Sequence, residues 1–334
     1  MKKNILIVFT TIIIVCFVSI KADAQENVNF QHITIEDGLS QSTAEVIFQD
    51  SQGYIWIGTN EGLNRYNGFE MKIYKADKTK KNTIVNNYIL SIQEDHEKNL
   101  WVGTNRGISK IDLETDEIVN YEKDKSGRQY YNVRSILVTK KGSVIAVTSN
   151  NVYLYNRETG DLDEILNKRS IFNEEDIMVI KEDNFQNIWV GTNKSLIKLN
   201  KNTLEETKYI SKDSIENDGI NSILIDDENS IWVSTKNNGL KKIIINENGT
   251  NEVIDYYHDE DDEFSIPSNT TNSMIQDRNG TIWIGTEKGI CKYLGDDKFY
   301  SYQNKSYDEN SLINNSVYSL MEDSNGLIWV GRKP

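Results

Sequence analysis

Apolar and polar residues alternate along most of this chain in short runs, and the runs recur in sets of four. The first of a set, such as Thr43 to Gln49, Ile89 to Glu94 or Val317 to Glu322, has the period of two that predicts a half-buried strand. A polar turn leads to a second run that ends in W-[IV]-G-T. A short polar loop then opens a third, visible as GLNRY from Gly62, GISKI from Gly107, NVYLY from Asn151, SLIKL from Ser195, GLKKI from Gly239 and GICKY from Gly289. The fourth is rich in aromatic and β-branched residues, as in Phe69 to Tyr74, Ile118 to Tyr121, Glu206 to Ile210, Val253 to Tyr257 and Phe299 to Tyr302. Each set predicts four short antiparallel strands.

The sets are copies of one unit, D-x-x-x-x-x-W-[IV]-G-T. Its tryptophans are Trp56, Trp101, Trp189, Trp232, Trp283 and Trp329, all the tryptophans of the chain, and its aspartates are Asp50, Asp95, Asp183, Asp226, Asp277 and Asp323. A degenerate copy at 139 to 148 has Ile145 in place of tryptophan. A four-stranded sheet of this size has two apolar faces and is not stable alone; stacking copies around an axis buries both. The pattern therefore predicts an all-β, seven-bladed β-propeller of four-stranded antiparallel blades, with the tryptophans as filler between blades and the aspartates fixing turns.

Related repeats are distinguishable by signature. The G-H and W-D pairs of WD40 repeats and the paired glycines of kelch repeats are missing. Asp-box propellers place aspartate two residues before glycine; here it lies three before, from Asp50 to Gly53 or Asp323 to Gly326. The unit I-x-x-D-x-x-G-x-[IL]-W-[IV]-G-T-x-x-G-[LI]-x-[KR]-[YI], and the opening FQHITIEDGLSQSTAEVIFQD from Phe30 to Asp50, resemble the two-component regulator propeller repeat. That resemblance implies the extracytoplasmic sensor region of a bacterial hybrid or sensor histidine kinase, or of a diguanylate cyclase. Departures are the copy at 139 to 148 and Val147 and Ser234, where glycine is usual.

Phe30 to Ile35 matches the fourth strand of a blade. It is expected to complete the last blade from the N-terminus, while that blade's own strands stop after Leu327 to Arg332. The last blade then lacks a third strand, which predicts a truncated propeller whose parent continues through further blades, a membrane span and an output domain.

Residues 1–24 have the plan of a secretory signal. Lys2 and Lys3 precede an apolar run from Ile5 to Ile20, too short for a spanning helix, and Ala22-Asp23-Ala24 offers a cleavage site. Residues 25–334 are expected to form the exported propeller, in the periplasm or at the cell surface. A membrane contact is expected only through segments downstream of this chain or through an uncleaved N-terminal anchor. A formal charge of −14 disfavours nucleic acid and anionic lipid. With Cys291 alone beyond the leader, no disulfide frame is available. His32, His96 and His258 lack metal-ligand spacing, and the acidic run Asp259 to Glu263 lacks the glycine of a calcium loop. No metal, cofactor or catalytic residue is expected.

Function should come from what varies among copies. Loops joining second to third strands, and one blade to the next, share a face around the channel mouth. They carry Asn60, Glu61, Asn105, Arg106, Arg134, Asn193, Lys236 and Glu287 as candidate ligand-binding residues, with Asn86, Asn87, Asn132, Asn221, Asn272, Asn314 and Asn315 on the interblade side. Amides both donate and accept, which suits hydroxyl-rich ligands such as an oligosaccharide. Three readings follow: a sensor ectodomain binding a small molecule or oligosaccharide, with a homodimer as a signalling partner; a free-standing secreted interaction module; and a propeller hydrolase or lyase using Glu61 and Glu287.

Overall fold

The computed structural model describes residues 28–167, 175–200, 206–210, 219–245 and 251–333. The leader at 1–24 lies outside these residues. Six four-stranded antiparallel sheets, each in meander order, span 46–74, 89–121, 135–167, 177–210, 220–256 and 271–302. In the first, Val46–Gln49, Ile55–Thr59, Gly62–Tyr66 and Met71–Tyr74 follow one another from the axis outwards. A two-stranded hairpin, Val317–Glu322 with Ile328–Arg332, completes the circuit.

The blade count is therefore six, and the expected seven-bladed ring closed by an N-terminal strand is not what forms. Residues 28 to 34 are not a strand, and a single 3₁₀ turn follows at Ile35–Asp37, capped by Thr34 and by Gly38 at φ 97°. An outermost strand can only pair with a third strand beside it, and the hairpin has none. The segment instead lies along the loop before the hairpin, where the Phe30 amide donates to the Asn310 carbonyl at 2.8 Å and His32 Nε2 meets the Glu309 carbonyl at 3.0 Å.

The hairpin nonetheless seals the ring. The Ala44 amide donates to the Arg332 carbonyl at 2.9 Å and Ser319 Oγ donates to the Ala44 carbonyl at 3.0 Å. Trp329 and Met321 pack on Ala44, Ile47, Ile55 and Ile57 of the first blade.

Each tryptophan lies between neighbouring blades. Trp56 packs on Ile89, Ile92 and Val102, Trp101 on Val133, Ile136 and Val144, and Trp189 on Ile220, Ile223 and Val233. Its indole donates to the repeat aspartate six residues earlier, at 2.7 Å for Trp56 to Asp50 and Trp101 to Asp95 and at 3.0 Å for Trp189 to Asp183. The other carboxylate oxygen holds the turn, accepting from the amides two and four residues on. One side chain thus ties the turn of a blade to the filler of its interface. Asp95→Ala strands several donors at once and should cost about 2 to 3 kcal/mol in urea denaturation; an unchanged midpoint would deny the aspartate this structural role.

In the five four-stranded blades that carry the tryptophan, a cation from the third strand faces the indole. Lys110 lies 5.7 Å from the Trp101 ring, Lys198 5.5 Å from Trp189 and Lys242 5.0 Å from Trp232. In the degenerate third blade, Ile145 and Val147 replace tryptophan and glycine together. A smaller residue at one position accompanies a larger one at the other, and Ile145 and Val147 pack on Ile177, Ile180 and Val190.

Candidate functional site

The first strand of most units carries an irregularity at the same place. The pairing register shifts across Leu90, Met178, Asn221, Asn272 and Tyr318, so that each of these residues is left out of the ladder. Such a bulge bends the strand and re-aims the extra side chain. In the first and third blades the corresponding residues, Glu45 and Arg134, stand immediately before strands Val46–Gln49 and Ser135–Val138. Every one of these seven residues lies eleven positions before its repeat tryptophan, or before Ile145 in the third.

All seven line one cavity of about 300 Å³, together with Ile220, Lys236, Thr270 and Glu287. Contributions from six blades and the hairpin put this cavity on the ring axis. The volume is at the lower end of small-molecule sites.

Two of the amides also clamp neighbouring blades. Asn221 Nδ2 donates to the Thr271 carbonyl at 2.9 Å, and Asn272 Nδ2 to the Val317 carbonyl at 2.8 Å. Ionisable groups gather where the hairpin meets its neighbours. Ser316 Oγ donates to Glu287 at 2.8 Å, Tyr88 Oη reaches Glu45 at 3.5 Å, and Lys333 Nζ lies 4.8 Å from the Tyr318 ring centre.

Burial pushes the Glu45 carboxyl above its ordinary value, only partly offset by Lys333 and the Tyr88 hydroxyl. Burial likewise raises Tyr318, with Glu287 adding to the effect. Burial works against the Lys333 ammonium, but Tyr318 and Glu45 more than offset it and its pKa is raised. For a carboxyl raised on folding, the stabilising contribution is full below the ordinary value of 4.5 and is lost as pH rises through the folded value. Glu45→Gln should therefore flatten the decline of melting temperature across that range; a steeper decline in the variant would contradict the assignment.

Of the eight residues expected at the binding face, Arg134, Lys236 and Glu287 line the cavity. Asn193 serves the chain itself, its Oδ1 accepting from the Asp176 amide at 3.0 Å. Asn60 and Asn105 are half-buried at second-to-third-strand turns outside the lining, and Glu61 and Arg106 are exposed there. Glu61 and Glu287 are thus not brought together; the carboxylate sharing the cavity with Glu287 is Glu45. Among the interblade asparagines, Asn221 and Asn272 face the axis, whereas Asn87 and Asn315 accept backbone amides of the preceding loops at 2.7 and 2.6 Å. Residue type alone did not reveal Leu90, Met178 or Tyr318; their constant distance from the tryptophan is the signal.

The acidic run Asp259 to Glu263 is organised as a turn, with Asp259 and Asp262 accepting amides two residues on at 3.0 Å.

A closed ring of meander sheets with a cavity on its axis is a β-propeller. The model of the two component regulator propeller matches residues 38–61, 83–106, 265–288 and 311–331, so four stretches of the chain match that repeat. A stretch of 66 residues, 20% of the chain, is 42% identical to histidine kinase P4 of Formosa agariphila and covers 5% of that protein. Two solved structures from B. thetaiotaomicron have the same fold over 91% of the chain. One is an extracellular domain assigned to a one component system, 24% identical with a TM-score of 0.73. The other is an extracellular domain assigned to a hybrid two component system, 22% identical with a TM-score of 0.75. The chain spans 39% and 40% of their lengths.

Proposed function

We propose that this propeller is the extracytoplasmic ligand-binding region of a bacterial transmembrane signalling protein, and that its ligand is a saccharide held in the axial cavity. The observation that carries this reading is the bulged ring. Seven equivalent positions are aimed at one space, and they hold Glu45, Leu90, Arg134, Met178, Asn221, Asn272 and Tyr318 while the scaffold around them repeats. A position that only served packing would be expected to repeat as the tryptophans do. The family of the repeats and the stretch of likeness to a histidine kinase support a signalling role.

Amides, a phenol and carboxylates can exchange hydrogen bonds with sugar hydroxyls, while Leu90, Met178 and the Tyr318 ring offer apolar surface to a pyranose face. Signalling requires the ligand to prefer one arrangement of the ring or of a propeller pair over another, since equal affinity shifts nothing.

Titration calorimetry against a saccharide panel tests the site. Tyr318→Ala should weaken binding about tenfold or more, or about 1.4 kcal/mol, whereas Glu61→Ala, outside the lining, should leave it unchanged. Equal affinity in wild type and the Tyr318 variant would remove the ligand from the axis.

A further inference from the structure

Several cations among the described residues are engaged by carboxylates. Lys72, Lys98, Lys125, Arg128, Arg157, Lys241 and Arg278 each pair with a carboxylate. The cavity contains two that are not. Among the described residues, neither the Arg134 guanidinium nor the Lys236 ammonium makes a side-chain hydrogen bond or an ion pair, although both line the same space. They come from the third and fifth blades, and Met178 of the fourth blade lines the cavity in the sector between them.

The two carboxylates that line the cavity belong to other sectors and already have partners. Glu287 of the sixth blade accepts from Ser316, and Glu45 of the first accepts from Tyr88. The placement is also unusual for the molecule. In a chain with formal charge −14, two unpaired cations lining one cavity, both of them exposed there, do not follow from a generally basic surface.

Resting on the saccharide reading above, we infer that the ligand is an anionic saccharide, whose negative group is held between Arg134 and Lys236 over the thioether of Met178. Both a carboxylate and a sulfate ester present the oxygen acceptors that a guanidinium binds in parallel and an ammonium binds as a point charge. The hydroxyl-bearing remainder of the ligand extends towards Asn221, Asn272 and Tyr318.

The test uses oligosaccharides prepared as charged and neutralised pairs, uronate oligomers with their methyl esters and sulfated oligomers with their desulfated forms. Each pair is titrated against the protein and against Arg134→Ala, Lys236→Ala and the exposed-turn control Arg106→Ala. A charged form should bind at least tenfold more tightly than its neutral partner, with an advantage that shrinks as salt is raised. Arg134→Ala and Lys236→Ala should each remove most of that advantage without changing affinity for the neutral form, and Arg106→Ala should change neither. Whichever pair responds separates carboxylate from sulfate. Neutral saccharides binding as well as charged ones, or charged ones binding undiminished in both variants, would overturn the inference and leave the saccharide site standing. Binding of no saccharide, charged or neutral, would overturn the site itself.

Discussion

Trp189→Ala is expected to lower the unfolding free energy by about 3 to 5 kcal/mol, the range for removing a large buried aromatic. Trp189 is fully buried between the fourth and fifth blades, against Leu196, Ile220, Ile223, Ile231 and Val233. Truncation leaves a cavity at that interface and also strands the Asp183 carboxylate, itself buried, which accepts the indole N–H at 3.0 Å. Trp189→Phe separates the two contributions. It restores most of the apolar volume and loses the hydrogen bond, so its cost should fall to about 1 to 2 kcal/mol. Urea denaturation monitored by circular dichroism reads both, and a near-neutral alanine variant would place the indole somewhere other than a packed interface.

Gly103→Val should be as damaging for the opposite reason. A Cβ at Gly103 would lie 2.2 Å from Ser91 Oγ and 2.5 Å from the Val133 carbonyl, the latter on the chain leading into the next blade. A hydroxyl can rotate away, but a backbone carbonyl at the ring interface moves only if the blades part. At Gly331 a Cβ would likewise meet a carbonyl, that of Ala44, and at Gly58, Gly191 and Gly285 it would meet the side chains of Ile89, Ile220 and Val317 of the next unit, which is the packing reason for glycine after the tryptophan dipeptide. Overpacking typically costs about 1 to 3 kcal/mol and here should reach the upper end or beyond, with a β-branched residue forced against main chain. Gly127→Val is the informative control. Its added Cβ meets nothing within 4 Å, leaving only the strain of φ 83°, so its melting temperature should fall less. Equal losses in the two variants would show that backbone conformation, not blade contact, sets the requirement.

The parts of this architecture that were legible in the sequence are those that repeat. The tryptophans could be aligned because one packing problem is solved at every interface, and alternation in the flanking runs marked the strands. The outer strand of the third blade, Asp161–Asn167, was harder to see because DLDEILN is acidic and lacks the aromatic character of its counterparts. Phe30 to Ile35 had the right pattern for a strand and lacked a ladder to join, which no local pattern can reveal. The blade count changed for the same reason.

The candidate site was only partly visible. Arg134, Lys236 and Glu287 were found by their residue types on the expected face, but Glu45, Leu90, Met178 and Tyr318 share no chemistry. For Leu90, Met178 and Tyr318 membership depends on a bulge in the first strand, and for Glu45 on its place just before that strand, features of pairing register rather than of composition. The link between each aspartate and the tryptophan six residues on was also hidden, because a spacing of six across a turn becomes a contact only once the two strands have paired. Varied residues at a fixed distance from an invariant one are the trace such a ring leaves in a sequence.

The most direct measurement is a crystal structure of the propeller with whichever saccharide binds most tightly. The account predicts ligand density on the ring axis, in contact with Tyr318, Asn221 and Asn272 and absent from the exposed turns at Glu61 and Arg106. A ligand seated on those turns, or on the outer edge of a blade with the axial cavity unfilled, would contradict it.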